Sequence, residues 1–281
     1  MHPVLIKIGS VIIPAYGALA AVGVLLALML ALRTARVVGV DPNQVWNLCI
    51  VVLFTALVGS RVLLIVVNWS TLRSHPTWML GLAMIHHPLL AAAGGALALV
   101  VAWIYAQWRK MPLRATSDAL AAPLVLALAF EQIGALLAAS GYGTGTHVPW
   151  AVTYTSTLAA LWSGAPIGIP VHPVQAYASI AFLAVVLGLV LWLPHRRQHG
   201  DVAGLCLMAV GVALFITEFW RDPIGRGSMF GGFLRGPQAA AIVLVIAGAL
   251  LLVERTSQRI QKTPEVFAAS TSGEPEEAQH G

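Results

Sequence analysis

Charge is what this sequence has least of. Asp, Glu, Lys and Arg make up 10% of its 281 residues, against about 25% in a soluble globular domain. A chain so poor in charge has too little polar surface to wet a folded exterior, which excludes an ordinary soluble domain. Cysteine is nearly absent too. Cys49 and Cys206 each sit inside an apolar run, so neither a disulfide framework nor a CxxC metal pair is available, and both read as small core residues. The net charge of +5 and the pI near 9.6 raise the question of nucleic acid. No basic run is interleaved with aromatics, however, so no nucleic-acid partner is expected. The first ten residues carry one lysine and lead into an apolar run too long for a cleavable signal peptide.

What the chain has in abundance is hydrophobic length. Apolar residues are 58% of it and mean hydropathy is +0.83. A bilayer core of about 30 Å takes about 20 apolar residues per helix, which predicts spans near residues 11–32, 45–67, 89–108, 118–139, 173–193, 202–219 and 238–253. Strict polar alternation, the mark of a membrane β-barrel, is missing from these runs. The expected fold is therefore an all-α, polytopic helical bundle of about seven transmembrane helices over residues 1–262. Residues 263–281 are acidic, rich in small residues and expected to be a disordered cytoplasmic tail. The stretch 78–85 is too short to span and is expected at the interface.

Orientation follows from lysine and arginine in the loops. With the N-terminus outside, inner loops and tail hold ten such residues, Arg33, Arg109, Arg196 and Lys262 among them, and the outer side five, Arg221, Arg226 and Arg235 included. The expectation is N-out, C-in. Two outer segments stand apart: the long connection 141–171, rich in Gly, Thr, Ser and Pro, and the glycine-rich 221–237. A connection this long is usually functional or disordered.

Ionisable groups at membrane depth are costly and tend to face a cavity or a partner. Arg61 lies in GSRVLLIV, Glu131 and Gln132 in LAFEQIGALL, Glu218 and Arg221 in FITEFWRDP, and His172, Gln175 and Tyr177 in HPVQAYAS. Glu218 and Arg221, three apart, share a helix face. So do His172 and Gln175 at a helix start. These groups are candidates to converge on one outward-facing cavity. Each also has a plainer reading: Arg61 with Glu131 as an interhelical pair, His172 as a helix cap, Gly94 and Gly95 in AAAGGAL as close helix packing.

Taken in order, these segments resemble the prolipoprotein diacylglyceryl transferases of bacterial inner membranes. Tyr16-Gly17 falls on that family's tyrosine-glycine pair, Arg61 on its Gly-Gly-Arg motif, and Gly94-Gly95 on the glycines of its His-Gly-Gly motif. His172, Pro173, Gln175 and Tyr177 match its His-Pro-x-Gln-x-Tyr-Glu, Glu218 and Arg221 its penultimate span, and Gln238 the glutamine opening its last span. The resemblance implies transfer of diacylglyceryl from phosphatidylglycerol to a lipobox cysteine of a preprolipoprotein, in the inner membrane, without metal or cofactor. It also implies catalytic roles for Tyr16, His172 and Glu218. Lipid or phosphate contacts are implied for Arg61, Gly94, Gly95, Gln132, Gln175, Tyr177, Arg221 and Gln238.

The sequence departs from the pattern at definite places. Ala93 stands where the family has histidine, Gln132 and Leu214 where it has arginines, Ala135 and Ala138 where it has asparagines, and Ser140 and Ala178 where it has glutamates. Fixed cations commonly supply the largest catalytic term, so three readings stay open. One is a diverged transferase using other arginines. Another is a non-catalytic paralogue that binds lipid or lipoprotein precursor. The third is an unrelated small-molecule transporter.

Overall fold

The computed structural model describes residues 4–8, 11–69, 73, 88–223, 228–229 and 234–271. The chain enters through an antiparallel hairpin, β1 (Val4–Ile8) and β2 (Val11–Pro14), and only then turns helical. The first helix, α1, covers Ala15–Val38, so the expected start near residue 11 is corrected. Val11, Ile12 and Ile13 are apolar in either conformation, and hydropathy does not separate a buried strand from a helix. Pro14, at the N-cap with φ −70°, marks the change.

Helix α1 stops at Gly39, whose φ of 84° lets its N–H return to the Ala35 carbonyl. Helix α2 (Pro42–Val67) starts where the Asp41 side chain accepts the Asn43 N–H, with proline in the first turn. The bundle continues with α3 (Pro88–Trp108), α4 (Leu113–Leu137), α6 (Val174–Trp192), α7 (Asp201–Thr217) and α8 (Gly236–Thr271). A short helix, α5 (Thr157–Ser163), lies between α4 and α6. Six helices among the described residues are long and apolar enough to cross a membrane, and α3 is apolar over the shorter stretch Ala93–Trp108. Large apolar side chains such as Leu25, Phe54, Leu99 and Leu187 are exposed, as lipid-facing positions of a multi-pass membrane protein are.

Helix α4 is the axis of the bundle, packing against α1, α6 and α7, while α2 lies on α3 and α1, and α8 on α7. Polar clamps hold the end farther from the hairpin. Thr34 Oγ1 donates to the Ala119 carbonyl across 2.6 Å, tying α1 to α4. The buried Asp118 carboxylate accepts N–H groups of Gly200 and Ala203 at the start of α7, supplying the negative charge that a helix N-terminus favours. Arg196 donates to the Val37 and Val38 carbonyls at the end of α1.

The structure is mostly helical rather than all-α. Besides the hairpin, β3 (Val152–Thr153) pairs with β4 (Pro170–Val171), and β5 (Ser228–Met229) with β6 (Leu234–Arg235). The connection 141–171 is thus built, not structureless. Helix α8 is assigned as far as Thr271, and residues 272–281 lie outside the described residues. The stretch 78–85 and Arg226 also lie outside them.

Candidate functional site

Five elements end together near the hairpin: the start of α1, the last turns of α4, the end of α7, strand β6 and the start of α8. Their polar side chains form one connected chain. Tyr16 Oη donates to Glu131 Oε1 at 3.2 Å, and Gln132 Nε2 donates to Glu131 Oε2 at 2.5 Å. Arg221 Nη2 donates to Gln132 Oε1 at 3.1 Å, and Arg221 Nε lies 3.8 Å from Glu218 Oε2. Arg235 Nη1 donates to the Glu218 and Arg221 carbonyls at 2.8 and 2.7 Å. Gln238 Oε1 accepts the Arg235 N–H at 3.1 Å.

The direction of the Gln132 amide follows from its neighbours. A carboxylate only accepts and a guanidinium only donates, so Nε2 faces Glu131 and Oε1 faces Arg221. The Glu218–Arg221 pair forms as their spacing predicts, with side chains 5% and 14% exposed. The 3-10 turn Glu218–Trp220 between them then gives way to extended backbone at Arg221. Gly134 makes the first contact feasible: a Cβ there would lie 3.2 Å from the Tyr16 carbonyl oxygen and 3.3 Å from its Cα.

A second cluster surrounds His172. Trp150 Nε1 donates to the Tyr177 hydroxyl at 2.7 Å, and that hydroxyl lies 3.3 Å from His172 Nδ1. An indole N–H only donates, so the hydroxyl accepts from Trp150, while the direction of its contact with Nδ1 follows the imidazole tautomer. The Tyr177 and Trp220 rings meet edge to face, centroids 6.1 Å apart. These side chains, with Val148, Ile216 and Thr217, line a mainly apolar cavity of about 590 Å³. Thr217 and Trp220 flank Glu218 in the chain, which places the cavity beside the polar network.

His172 and Gln175 do not share a helix face as expected. Helix α6 begins at Val174 after Pro173, and His172 is held in the preceding turn by its N–H to the Thr144 carbonyl. Gln175 is fully buried and donates to the Ser140 carbonyl at 2.8 Å. Its Oε1 and the nearby connection's Tyr154 hydroxyl are buried without a hydrogen-bond partner among the described residues. Burial pushes the Tyr154 phenol up from its ordinary pKa. Burial and then the Asp222 carboxylate do the same for Tyr142.

Three expected residues stand outside both clusters. Arg61 is exposed on α2, and the hydrogen bonds described for the Glu131 carboxylate come from Tyr16 and Gln132. Gly94 belongs to the α2–α3 crossing, where a Cβ would meet Ser60 Cβ at 2.8 Å, and Gly95 has open space beside it. The close-packing reading therefore holds for Gly94 alone. Arg235 carries only a general signal in the sequence, as one of the arginines open to replace the missing cations, and Trp150 and Trp220 are not singled out there. Glu131 is visible in the sequence with Arg61 as one candidate partner.

Sequence comparison with known proteins identifies the chain's relatives. The sequence profile of the family described as Prolipoprotein diacylglyceryl transferase matches residues 3–254. The chain is 28% identical over 255 residues to the phosphatidylglycerol–prolipoprotein diacylglyceryl transferase 2 of Clostridium perfringens (strain 13 / Type A), covering 89% of this chain and 94% of that one. It is 30% identical over 262 residues to the phosphatidylglycerol–prolipoprotein diacylglyceryl transferase of Vibrio cholerae serotype O1 (strain ATCC 39315 / El Tor Inaba N16961), covering 90% and 91%. The chain belongs to the prolipoprotein diacylglyceryl transferase family.

Proposed function

We propose that the protein moves the diacylglyceryl group of phosphatidylglycerol onto the cysteine sulfur of a preprolipoprotein lipobox, at the outer face of a bacterial inner membrane. The observation that carries this reading is the polar chain from Tyr16 to Arg235 beside a cavity of lipid-compatible lining. In the reaction an S–C bond forms at the glyceryl carbon, its C–O bond to phosphate breaks, and glycerol phosphate leaves. Arg221 is the cation for the phosphate, and the His172 ring, on the wall of the cavity, is the donor for a second phosphate oxygen. Tyr16 and Glu131 form the route by which the thiol proton leaves, with Tyr16 oriented by the carboxylate it bonds. The cavity wall of Ile216, Trp150 and Trp220 takes acyl chain.

Under this reading α3 is the seventh span, the N-terminus lies outside and the C-terminus inside, as the loop charges favour. Asp118 and Arg196 are then at the inner end, and the hairpin and the 141–171 connection at the outer one. Gly94 and Arg61 belong to the α2–α3 wing, and Gln238 orders the entry into α8.

The test is rescue of a strain depleted of its own transferase, scored by radiolabelled palmitate on a model lipoprotein. Rescue by the wild-type chain and a fall of about 100-fold or more for Y16F is the expected result. A well-expressed wild-type chain that transfers no label overturns the enzymatic reading. A second reading, lipid binding without transfer, draws on Leu214, which packs against the apolar core where a cation is expected. Phosphatidylglycerol binding by purified protein, with no label transferred, is its signature.

A further inference from the structure

The polar chain contains one cation whose arrangement transfer by Arg221 alone leaves unexplained. Arg235 is half-buried on β6, and both its side-chain hydrogen bonds run from Nη1 to backbone carbonyls, those of Glu218 and Arg221. Among the described residues no carboxylate pairs with it. Arg221, by contrast, is already engaged by Glu218 and Gln132.

The donor count matters here. With the Nη1 hydrogens on two carbonyls, the Nε–Nη2 edge remains, and that edge is the fork that matches two phosphate oxygens. The two carbonyl bonds of 2.7 and 2.8 Å anchor this guanidinium against the backbone of Arg221 itself. The Arg235 N–H, held by Gln238, fixes the strand from which the side chain reaches. Because Arg235 Nη1 bonds the Arg221 backbone carbonyl, both cations belong to one segment of the site, and an anion bound by both lowers the repulsion between like charges. Such an anchor also costs little ordering on binding, because the side chain is held before the ligand arrives.

We propose that Arg235 is the second phosphate-binding cation of this site, gripping the headgroup phosphate of an anionic phospholipid together with Arg221. The assignment rests on the transferase reading of the site and names the part of the lipid that is recognised. It also fits the chemistry of the step. The phosphate diester carries one negative charge and the departing monoester gains more, so a second fixed cation acts most strongly as the C–O bond breaks.

The experiment uses the full-length protein in phosphatidylcholine vesicles. Binding of phosphatidylglycerol with a fluorescent acyl chain is measured, with fluorescent diacylglycerol as the phosphate-free control. R235Q is expected to weaken phosphatidylglycerol binding by about 10- to 100-fold, the size of a charge-assisted hydrogen bond lost, and to leave diacylglycerol binding unchanged. R235K, which keeps charge but not the fork, is expected to fall between R235Q and wild type. It supplies the readout if R235Q does not fold. Unchanged phosphatidylglycerol binding in a folded R235Q overturns the proposal. Equal weakening for both lipids also overturns it, since that is the behaviour of a backbone staple. Displacement of the labelled lipid by unlabelled phosphatidylglycerol, and not by the same concentration of inorganic phosphate, assigns the anion to a lipid. Displacement by inorganic phosphate overturns that assignment. Wild-type protein that binds the lipid selectively but transfers nothing sinks the enzymatic reading and leaves Arg235 as a headgroup ligand. Efficient transfer with the same phosphatidylglycerol dependence in R235Q sinks only the role of Arg235.

Discussion

Arg221 donates to the Gln132 side-chain oxygen across 3.1 Å, joining the extended segment after α7 to the last turns of α4. The same amide donates to Glu131. Gln132 therefore does something an arginine at its position cannot: it accepts from one neighbour while donating to the other. On sequence alone, restoring arginine there looked like restoring a lost cation. In the structure it sets a second guanidinium against Arg221.

From this follows an expectation for Q132R. It is expected to lower, not raise, label transfer to a model lipoprotein, by about 10-fold or more, because it removes the acceptor that orients Arg221 and adds a like charge. Q132E, which still accepts from Arg221 but repels Glu131, is expected to be impaired as well. Higher transfer by Q132R than by wild type would show that charge, not orientation, is what the position lacks.

Gly134 and Gly95 make a matched pair of alanine substitutions. A methyl at Gly134 meets the Tyr16 backbone at 3.2 to 3.3 Å, whereas Gly95 has nothing within 4 Å. G134A is expected to destabilise the bundle by about 1–3 kcal/mol, as overpacking does, and to weaken the Tyr16–Glu131 contact. G95A is expected to be neutral. Thermal unfolding in detergent reports the first effect, and comparable losses for both variants would refute the packing argument.

Asp118 is buried and accepts N–H groups at the start of α7. D118A leaves these donors without their acceptor, for an expected loss of about 1–3 kcal/mol. Because Glu218 follows directly on the far end of α7, transfer activity is expected to fall with stability. Faster amide hydrogen exchange at residues 200–204 is the local signature, and unchanged exchange there would count against the cap.

Alkaline pH bears on the 141–171 connection through Tyr142, whose phenol is pushed up by burial and by Asp222, and which donates to the Gly164 carbonyl at 3.1 Å. An acid with a raised folded pKa favours the protonated form in the folded state. The stability tied to Tyr142 is therefore constant at neutral pH and falls as pH rises through the ordinary phenol value of about 10. Y142F, which cannot ionise, is expected to lose less stability than wild type above that pH. Identical melting curves for the two proteins across the alkaline range would contradict the coupling.

Much of the site could be read from spacing, and the reasons for the failures are specific. Glu218 and Arg221 pair because three residues in a helical turn bring side chains to one face, a local rule that survives any packing. His172 and Gln175 obey the same spacing but not the same geometry, since Pro173 ends the extended segment and the helix starts after His172. Depth in the membrane suggests Arg61 for Glu131, but the hydrogen bonds described for that carboxylate come from Tyr16 and Gln132, and depth says nothing about which faces of two helices meet. Arg235 stands in the sequence as one of several arginines open to replace the missing cations, and nothing there singles it out, because its anchoring depends on the carbonyls of residues 218 and 221, and a sequence carries no record of where carbonyls point.

Run length and scarcity of charge alone establish a multi-pass helical membrane protein, because a bilayer accepts only segments whose backbone is satisfied internally and whose surface is apolar. The order of polar residues along those runs was enough to suggest the family. Which of those residues touch was decided by the tertiary structure. Helix α4 had to pack on α1, α6 and α7 at once, and that packing brought Gln132 between Glu131 and Arg221. Hydrogen bonds act over about 3 Å, a distance that only the folded arrangement of helices sets.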